Sequence, residues 1–274
     1  MSHLVSATDL AELVRRDGVR VLDVRWKLGR TDGRDEYLAG HIPGAVFVDL
    51  EGDLSRSGAP EEGRHPLPST AHVQDAARRW GLNDGDVVVV YDDADGLPAA
   101  RAWWLLRHGG VDVRVLDGGW RAWQAAGGDV ESGFVERDPG TVTLRDVTED
   151  TLTIDEAARL PEHGVLLDAR APERFRGETE PWDPVAGHIP GAVNLPAPRH
   201  VREDGSLRDP DELRAQFAEV GIVDGVSVGA YCGSGITAAR TALVLAEIGI
   251  EAKLFHGSWS QWSNTPGYPV ATGE

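Results

Sequence analysis

AGHIPGAV, residues 39–46, returns letter for letter as residues 186–193. His41 is thereby answered by His188, and two further pairs follow in the same order. GDVVVVYDD (85–93) is answered by GVSVGAYCG (225–233), and LDGGWRAW (116–123) by FHGSWSQW (255–262). Ahead of the first pair, VRVLDVR (19–25) matches GVLLDAR (164–170). Ordered matches of this kind mark an internal duplication. With 274 residues, each copy has the size of an ordinary small domain. The division predicted is residues 1–128 and 151–274, with 129–150, which lacks any periodicity, as the linker.

Within each copy, short β-branched runs alternate with helical patterns. In the second, GVLLDA and GAVNLP read as strands, followed by a helix over DPDELRAQFAEVG (209–221). Asp209 stands at its N-cap, Pro210 in its first turn, Glu212 closes a capping box and Gly221 ends it. Leu213, Phe217 and Val220 form its apolar stripe. The strand VSVGAY, the helix TAARTALVLAEIG and the strand AKLF complete the copy. The first copy repeats the order, with helices over STAHVQDAARRWG and PAARAWWLLRHGG. Strands alternating with helices predict an α/β fold, in each domain a mostly parallel sheet with helices on both faces.

Composition narrows the function. The chain is 41% hydrophobic and 26% charged, and its formal net charge is −18. Such a surface repels nucleic acid and anionic lipid, so neither is an expected partner. No run approaches the ~18 apolar residues of a membrane span, and the N-terminus shows no apolar signal core. A single cysteine excludes an internal disulfide framework and a multi-cysteine zinc site. A cytoplasmic protein without metal or cofactor is expected.

That cysteine, Cys232, lies in AYCGSGITAAR (230–240), just past a strand and just before a helix. In open α/β sheets, ligands bind at this edge. Gly233 and Gly235 let the backbone curl so that successive N–H groups point inward, and the helix adds its positive end. Both features suit an anion on the sulfur, which a merely structural cysteine would not need. Arg170 ends a strand at the same edge, where a guanidinium could hold a carboxylate in a bidentate fork.

The duplicated HIPGA, the DAR of 168–170, the CGSGIT of 232–237 and the GSWSQW of 257–262 resemble the tandem-domain rhodanese family of sulfurtransferases. The resemblance covers nearly the whole chain. It implies two homologous rhodanese-like domains and a two-step reaction in which Cys232 takes sulfur from a donor and passes it on as a persulfide. In that family, thiosulfate enzymes carry a Cys-Arg-Lys-Gly loop. Gly233 and Ser234 stand here instead, as in the 3-mercaptopyruvate branch. The donor implied is 3-mercaptopyruvate, with thiosulfate as the alternative. The acceptor implied is a thioredoxin, a small thiol or cyanide.

The same resemblance assigns the remaining site residues. A second donor-binding arginine is expected at Arg174 or Arg176, in ERFRG. Ser234 is expected to relay a proton through a first-domain histidine and aspartate, matched to His41 and to Asp32 or Asp35. The repetition of His41 at His188 offers a purely structural reading of both. Gly233, Ser234, Gly235, Ile236 and Thr237 would supply the loop N–H groups, with Thr237 capping the helix. Ser258 and Trp259 would wall the site, although Trp259 could equally be core.

Asp92 stands where Cys232 does, so the first domain is expected to be non-catalytic. A metal site built from Asp92, Asp93 and Asp95 is less favoured than a solvated loop. A cysteine phosphatase would need an arginine six residues after the cysteine, where this chain has Ala238. A sulfur carrier without turnover would need none of the flanking arginine, serine and histidine.

Overall fold

The computed structural model describes residues 2–16 and 18–274. The chain divides into two units. The first comprises Met1–Ser55, Pro68–Val147 and Val201–Leu207; the second comprises Arg56–Leu67, Thr148–His200 and Arg208–Glu274.

The first unit holds a five-stranded sheet of β1 (Leu4–Val5), β2 (Val19–Asp23), β3 (Val46–Phe47), β4 (Val87–Tyr91) and β5 (Asp112–Leu116), ordered β1-β5-β4-β2-β3. The second holds β6 (Val165–Asp168), β7 (Val193–Asn194), β8 (Val228–Tyr231) and β9 (Ala252–Leu254), ordered β7-β6-β8-β9. Every strand pairing is parallel. The central strands are apolar without alternation because helices cover both faces. Val88, Val89, Val90, Leu166 and Leu167 are all fully buried.

The predicted helices form at Thr70–Arg79, Leu97–His108, Pro210–Ala218 and Ile236–Glu247. At the third, the Glu212 carboxylate accepts the Asp209 N–H at 3.2 Å, the backward half of the capping box. Thr237 does not cap the fourth. It lies inside the first turn, and the cap position belongs to Gly235.

Of the stretch expected as a linker, residues 129–147 belong to the first unit and 148–150 to the second. His41 and Glu131 exchange backbone bonds of 2.9 and 3.0 Å, and Val142 N–H donates to Leu82 O at 3.1 Å. Val142, Leu144 and Val147 are buried. An irregular path gave the segment no period, yet spaced apolar residues still anchor it. The exchanged segments 56–67 and 201–207 differ from a simple cut between halves. Each leads into a helix, one capped by Ser69 and the other by Asp209.

Candidate active site

In the register of the second sheet, Asp168 sits beside Tyr231, and the chain leaves β8 straight into Cys232. Cys232 is 2% exposed, and its Sγ accepts the Gly235 N–H at 3.1 Å. Gly235 turns the chain at φ +84°, and a Cβ there would stand 2.5 Å from the His256 carbonyl oxygen. No other residue fits both demands. The Cys232 N–H donates to Ser258 Oγ at 3.1 Å, and Ser258 Oγ–H donates to Phe255 O at 2.9 Å. Ser258 itself holds φ +56°, a left-handed conformation unfavourable for a residue with a Cβ. The loop is thus pinned from below by a strained residue whose hydroxyl it requires.

Ser234 is 9% exposed, and its Oγ lies 2.8 Å from Nδ1 of His65. His65 is itself buried and belongs to the segment 56–67 of the same unit. The histidine at Ser234 is therefore His65, where His41 was expected. His41 is held inside the first unit. Its Nδ1 lies 2.9 Å from Tyr37 O, and its ring stacks on Tyr37 at 4.2 Å. His188 repeats this in the second unit, 2.7 Å from Phe175 O and stacked on Phe175 at 3.7 Å. A histidine that serves the same carbonyl in both copies pins a turn. Asp32 has no buried partner either: it pairs with Arg30 at the surface, which holds its carboxyl below the usual range. Asp35 is exposed.

Arg170 is also placed differently from expectation. Its Nε and Nη2 bind Asp168 at 3.0 and 2.7 Å, Nη2 also donates to Gly187 O at 2.7 Å, and Nη1 reaches Glu180 at 3.3 Å. The guanidinium lies over Trp259, 4.5 Å from the ring centroid. Burial works against its charge, yet Asp168 holds its pKa above the ordinary arginine value. With its fork engaged by the protein's own carboxylates, Arg170 is a structural ion pair. Trp259, fully buried in the core of the second unit and donating to Val185 O at 2.9 Å, is the floor beneath it.

Of the two arginines in ERFRG, Arg174 faces the loop. Its Nη1 and Nη2 would stand 3.5 and 3.6 Å from a Cβ on Gly233. Arg176 turns to the surface and pairs with Glu178 at 2.7 Å. Ile236 is buried at the start of the helix, whereas Thr237 is half-buried.

Sequence reading missed His65, the residue bonded to Ser234. A signal did exist: the HIPGA histidine recurs in both copies, whereas GRHPLPS (63–69) has no copy in the second half. In a duplicated chain, a residue type present in only one repeat is the better catalytic candidate.

The sequence matches the Rhodanese-like domain family twice, over residues 6–126 and 153–265. The chain belongs to the rhodanese family. It is 48% identical over 280 residues to a Mycobacterium tuberculosis protein named "Putative thiosulfate sulfurtransferase SseB", covering 98% of this chain and 97% of that one. It is 36% identical over 275 residues to the 3-mercaptopyruvate sulfurtransferase of Escherichia coli K12, covering 97% and 96%. The crystal structure of SseA from Escherichia coli, titled as a 3-mercaptopyruvate sulfotransferase, superposes with a TM-score of 0.85 at 35% identity, over 94% of this chain and 99% of that one. This tandem rhodanese carries the family's two parallel sheets, as the sequence predicted. Among its described residues no helix is long and apolar enough to cross a membrane.

Proposed function

We propose that this protein transfers sulfane sulfur from 3-mercaptopyruvate to a thiol or to cyanide, through a persulfide on Cys232. One observation carries the reading: Cys232 Sγ accepts the Gly235 N–H at 3.1 Å, at the mouth of the 12-residue helix Ile236–Glu247. Backbone dipoles directed at sulfur stabilise charge on it, whether thiolate or persulfide.

The thiolate attacks the donor's sulfur. An S–S bond forms, the donor's C–S bond breaks, and its electron pair leaves as the enolate of pyruvate, which takes up one proton. An acceptor thiolate or cyanide then attacks the outer sulfur and returns Cys232 as thiolate. Ser234 and His65, 2.8 Å apart, can hold and move a proton beside the reacting sulfur. Arg174, over Gly233, is positioned to bind the donor's carboxylate. The first unit, with Asp92 in the nucleophile's place, takes no sulfur. A cytoplasmic setting, with a thioredoxin or a small thiol as acceptor, suits a lone unpaired cysteine.

Thiosulfate is the second reading, favoured by the name of the relative that is 48% identical. The test is kcat/KM for both donors with cyanide as acceptor, alongside Ser234→Ala. The reading expects a preference for 3-mercaptopyruvate that Ser234→Ala diminishes, because only that donor leaves as a carbanion. A preference for thiosulfate that is indifferent to Ser234 discards the relay and keeps the nucleophile.

A further inference from the structure

His65 stands outside any helix or strand, on the segment Arg56–Leu67 of the second unit. A side chain that moves a proton must be held to within about 0.5 Å of its working place. The segment is first closed on itself. Arg56 donates through its backbone N–H to Pro66 O at 3.3 Å and through Nε to Leu67 O at 3.2 Å. Across the loop so formed, the Glu62 carboxylate accepts the Ala59 N–H at 2.9 Å and pairs with Arg56.

The closed loop then rests on the helix Ser258–Asn264. A Cβ on Gly63 would stand 2.6 Å from the Gly257 carbonyl oxygen, so backbone touches backbone there. Gln261 Nε2 donates to Glu61 O at 2.9 Å, and its carboxamide fills the place that a Cβ on Gly257 would take. The same short helix carries the nucleophile's loop. Ser258 Oγ accepts the Cys232 N–H, Trp259 N–H donates to Cys232 O at 3.0 Å, and Ser260 N–H donates to Gly233 O at 2.9 Å. One helix is thus the mount for both the cysteine and the histidine.

The first repeat contains the same clamp without the histidine. EEGRH (61–65) is answered by EDGSL (203–207), which places Leu207 where His65 stands. Arg121 Nη1 donates to Glu203 O at 2.9 Å, as Gln261 donates to Glu61 O. A side-chain donor on this carbonyl is therefore part of how each unit holds such a segment.

We propose that Gln261 is a positioning residue for sulfur transfer: by holding the Glu61 carbonyl, it fixes His65 against Ser234. The proposal rests on the sulfur-transfer reading above and adds to that site a residue that touches neither donor nor sulfur.

The experiment measures kcat and KM with 3-mercaptopyruvate for the wild type, Gln261→Leu, Gln261→Arg, His65→Gln and the double variant His65→Gln/Gln261→Leu. Gln261→Leu keeps the bulk and removes the donor, so kcat is expected to fall ~3–10-fold, the worth of one net hydrogen bond, with KM unchanged. Gln261→Arg, which supplies a donor as Arg121 does, recovers most of that loss. In the His65→Gln background Gln261→Leu lowers kcat no further, because a residue that acts only through His65 has nothing left to position. An equal loss in both backgrounds, an unchanged kcat in Gln261→Leu, or a loss that Gln261→Arg leaves in place overturns the proposal. The sulfur-transfer reading itself fails by a different result: transfer that persists in Cys232→Ser, or a wild type inactive with both 3-mercaptopyruvate and thiosulfate.

Discussion

The two repeats build one loop twice and fill it differently. In the second, Cys232 Sγ accepts the Gly235 N–H, and Trp259 N–H donates to Cys232 O at 3.0 Å. In the first, Trp120 N–H donates to Asp92 O at 2.8 Å, and the Asp92 carboxylate accepts the N–H groups of Ala94, Gly96 and Ala99 at 2.8, 2.9 and 2.9 Å. The first copy thus shows the turn working as an anion cradle, with a fixed carboxylate as its occupant. Beneath the loops, Gly119 and Ser258 share φ +56° at matching positions. At that position the second copy has a left-handed residue with a Cβ, and its hydroxyl accepts the N–H of the loop's first residue. What repeats is scaffold; what occurs once is chemistry.

The largest break in that comparison comes from the occupant itself. Cys232→Ser should reduce sulfur transfer by at least ~10³-fold, as loss of a nucleophile does, and mass spectrometry should no longer find the added sulfur atom. The reciprocal Asp92→Cys should gain no transfer, since the cations that reach that loop, Lys27 at Asp93 and Arg121 at Asp95, are paired with the loop's own carboxylates. Sulfur transfer by Asp92→Cys in a Cys232→Ser background would show that the cradle alone suffices.

Next in size stands the buried ion pair present in both copies. Arg25 binds Asp23 through Nε and Nη2 at 3.2 and 3.0 Å, donates to Gly40 O at 2.8 Å and lies 4.9 Å from the Trp120 centroid. Arg170 repeats every one of these contacts with Asp168, Gly187 and Trp259. Removing one partner of such a pair leaves an uncompensated buried carboxylate, at a cost of about 3–5 kcal/mol. Arg25→Leu and Arg170→Leu should therefore destabilise their own units alike in urea unfolding. An Arg170→Leu protein of normal stability with a raised donor KM would instead make Arg170 part of the site.

That repeated pair also shows where sequence reading was strong and where it failed. The alternation of strands and helices and the positions of four helices were legible because burial periodicity and caps are local in the chain. Arg170 misled because a strand-end arginine looks the same whether its fork is free or already engaged, and Asp168, two residues away, engages it. His41 misled because family likeness was mapped onto the most recognisable histidine. His65 lies 169 positions from Ser234, and no local pattern reports a pairing of that separation. The repeat itself held the correction: Tyr37 O and Phe175 O bind their histidines in the same way.

The histidines sharpen the comparison at a smaller scale. His65→Gln should slow 3-mercaptopyruvate turnover about 10–100-fold through loss of a proton carrier, with the unfolding midpoint nearly unchanged. His41→Gln should do the reverse, lowering the midpoint and sparing kcat. The pH profile of kcat separates the two, since only His65→Gln should alter its shape. If His41→Gln reshapes that profile and His65→Gln does not, the assignment of the relay is inverted.

The smallest effect concerns how well the cradle holds charge. Burial pushes the Asp92 carboxyl up from 3.8 to about 6, against the three N–H groups that lower it. The folded state then binds a proton below about pH 6 that the unfolded state binds only below about pH 4. Within that window the folded protein carries more protons, so stability falls as pH rises and levels off above about pH 6. The slope is at most one proton, about 1.4 kcal/mol per pH unit. Asp92→Asn should remove it, which urea unfolding of both proteins between pH 4 and 7 would show, with amide exchange at Ala94, Gly96 and Ala99 reporting the loop directly. Identical slopes in the two proteins would mean that the three N–H groups outweigh burial. The cradle would then hold an anion without penalty, and the matching turn around Cys232 would hold one by its backbone alone. A slope steeper in the wild type than in Asp92→Asn, where Asp23, raised to about 7, still contributes, would mean that backbone dipoles fall short of full compensation, so that an anion on Cys232 is better held with a cation such as Arg174 beside the loop.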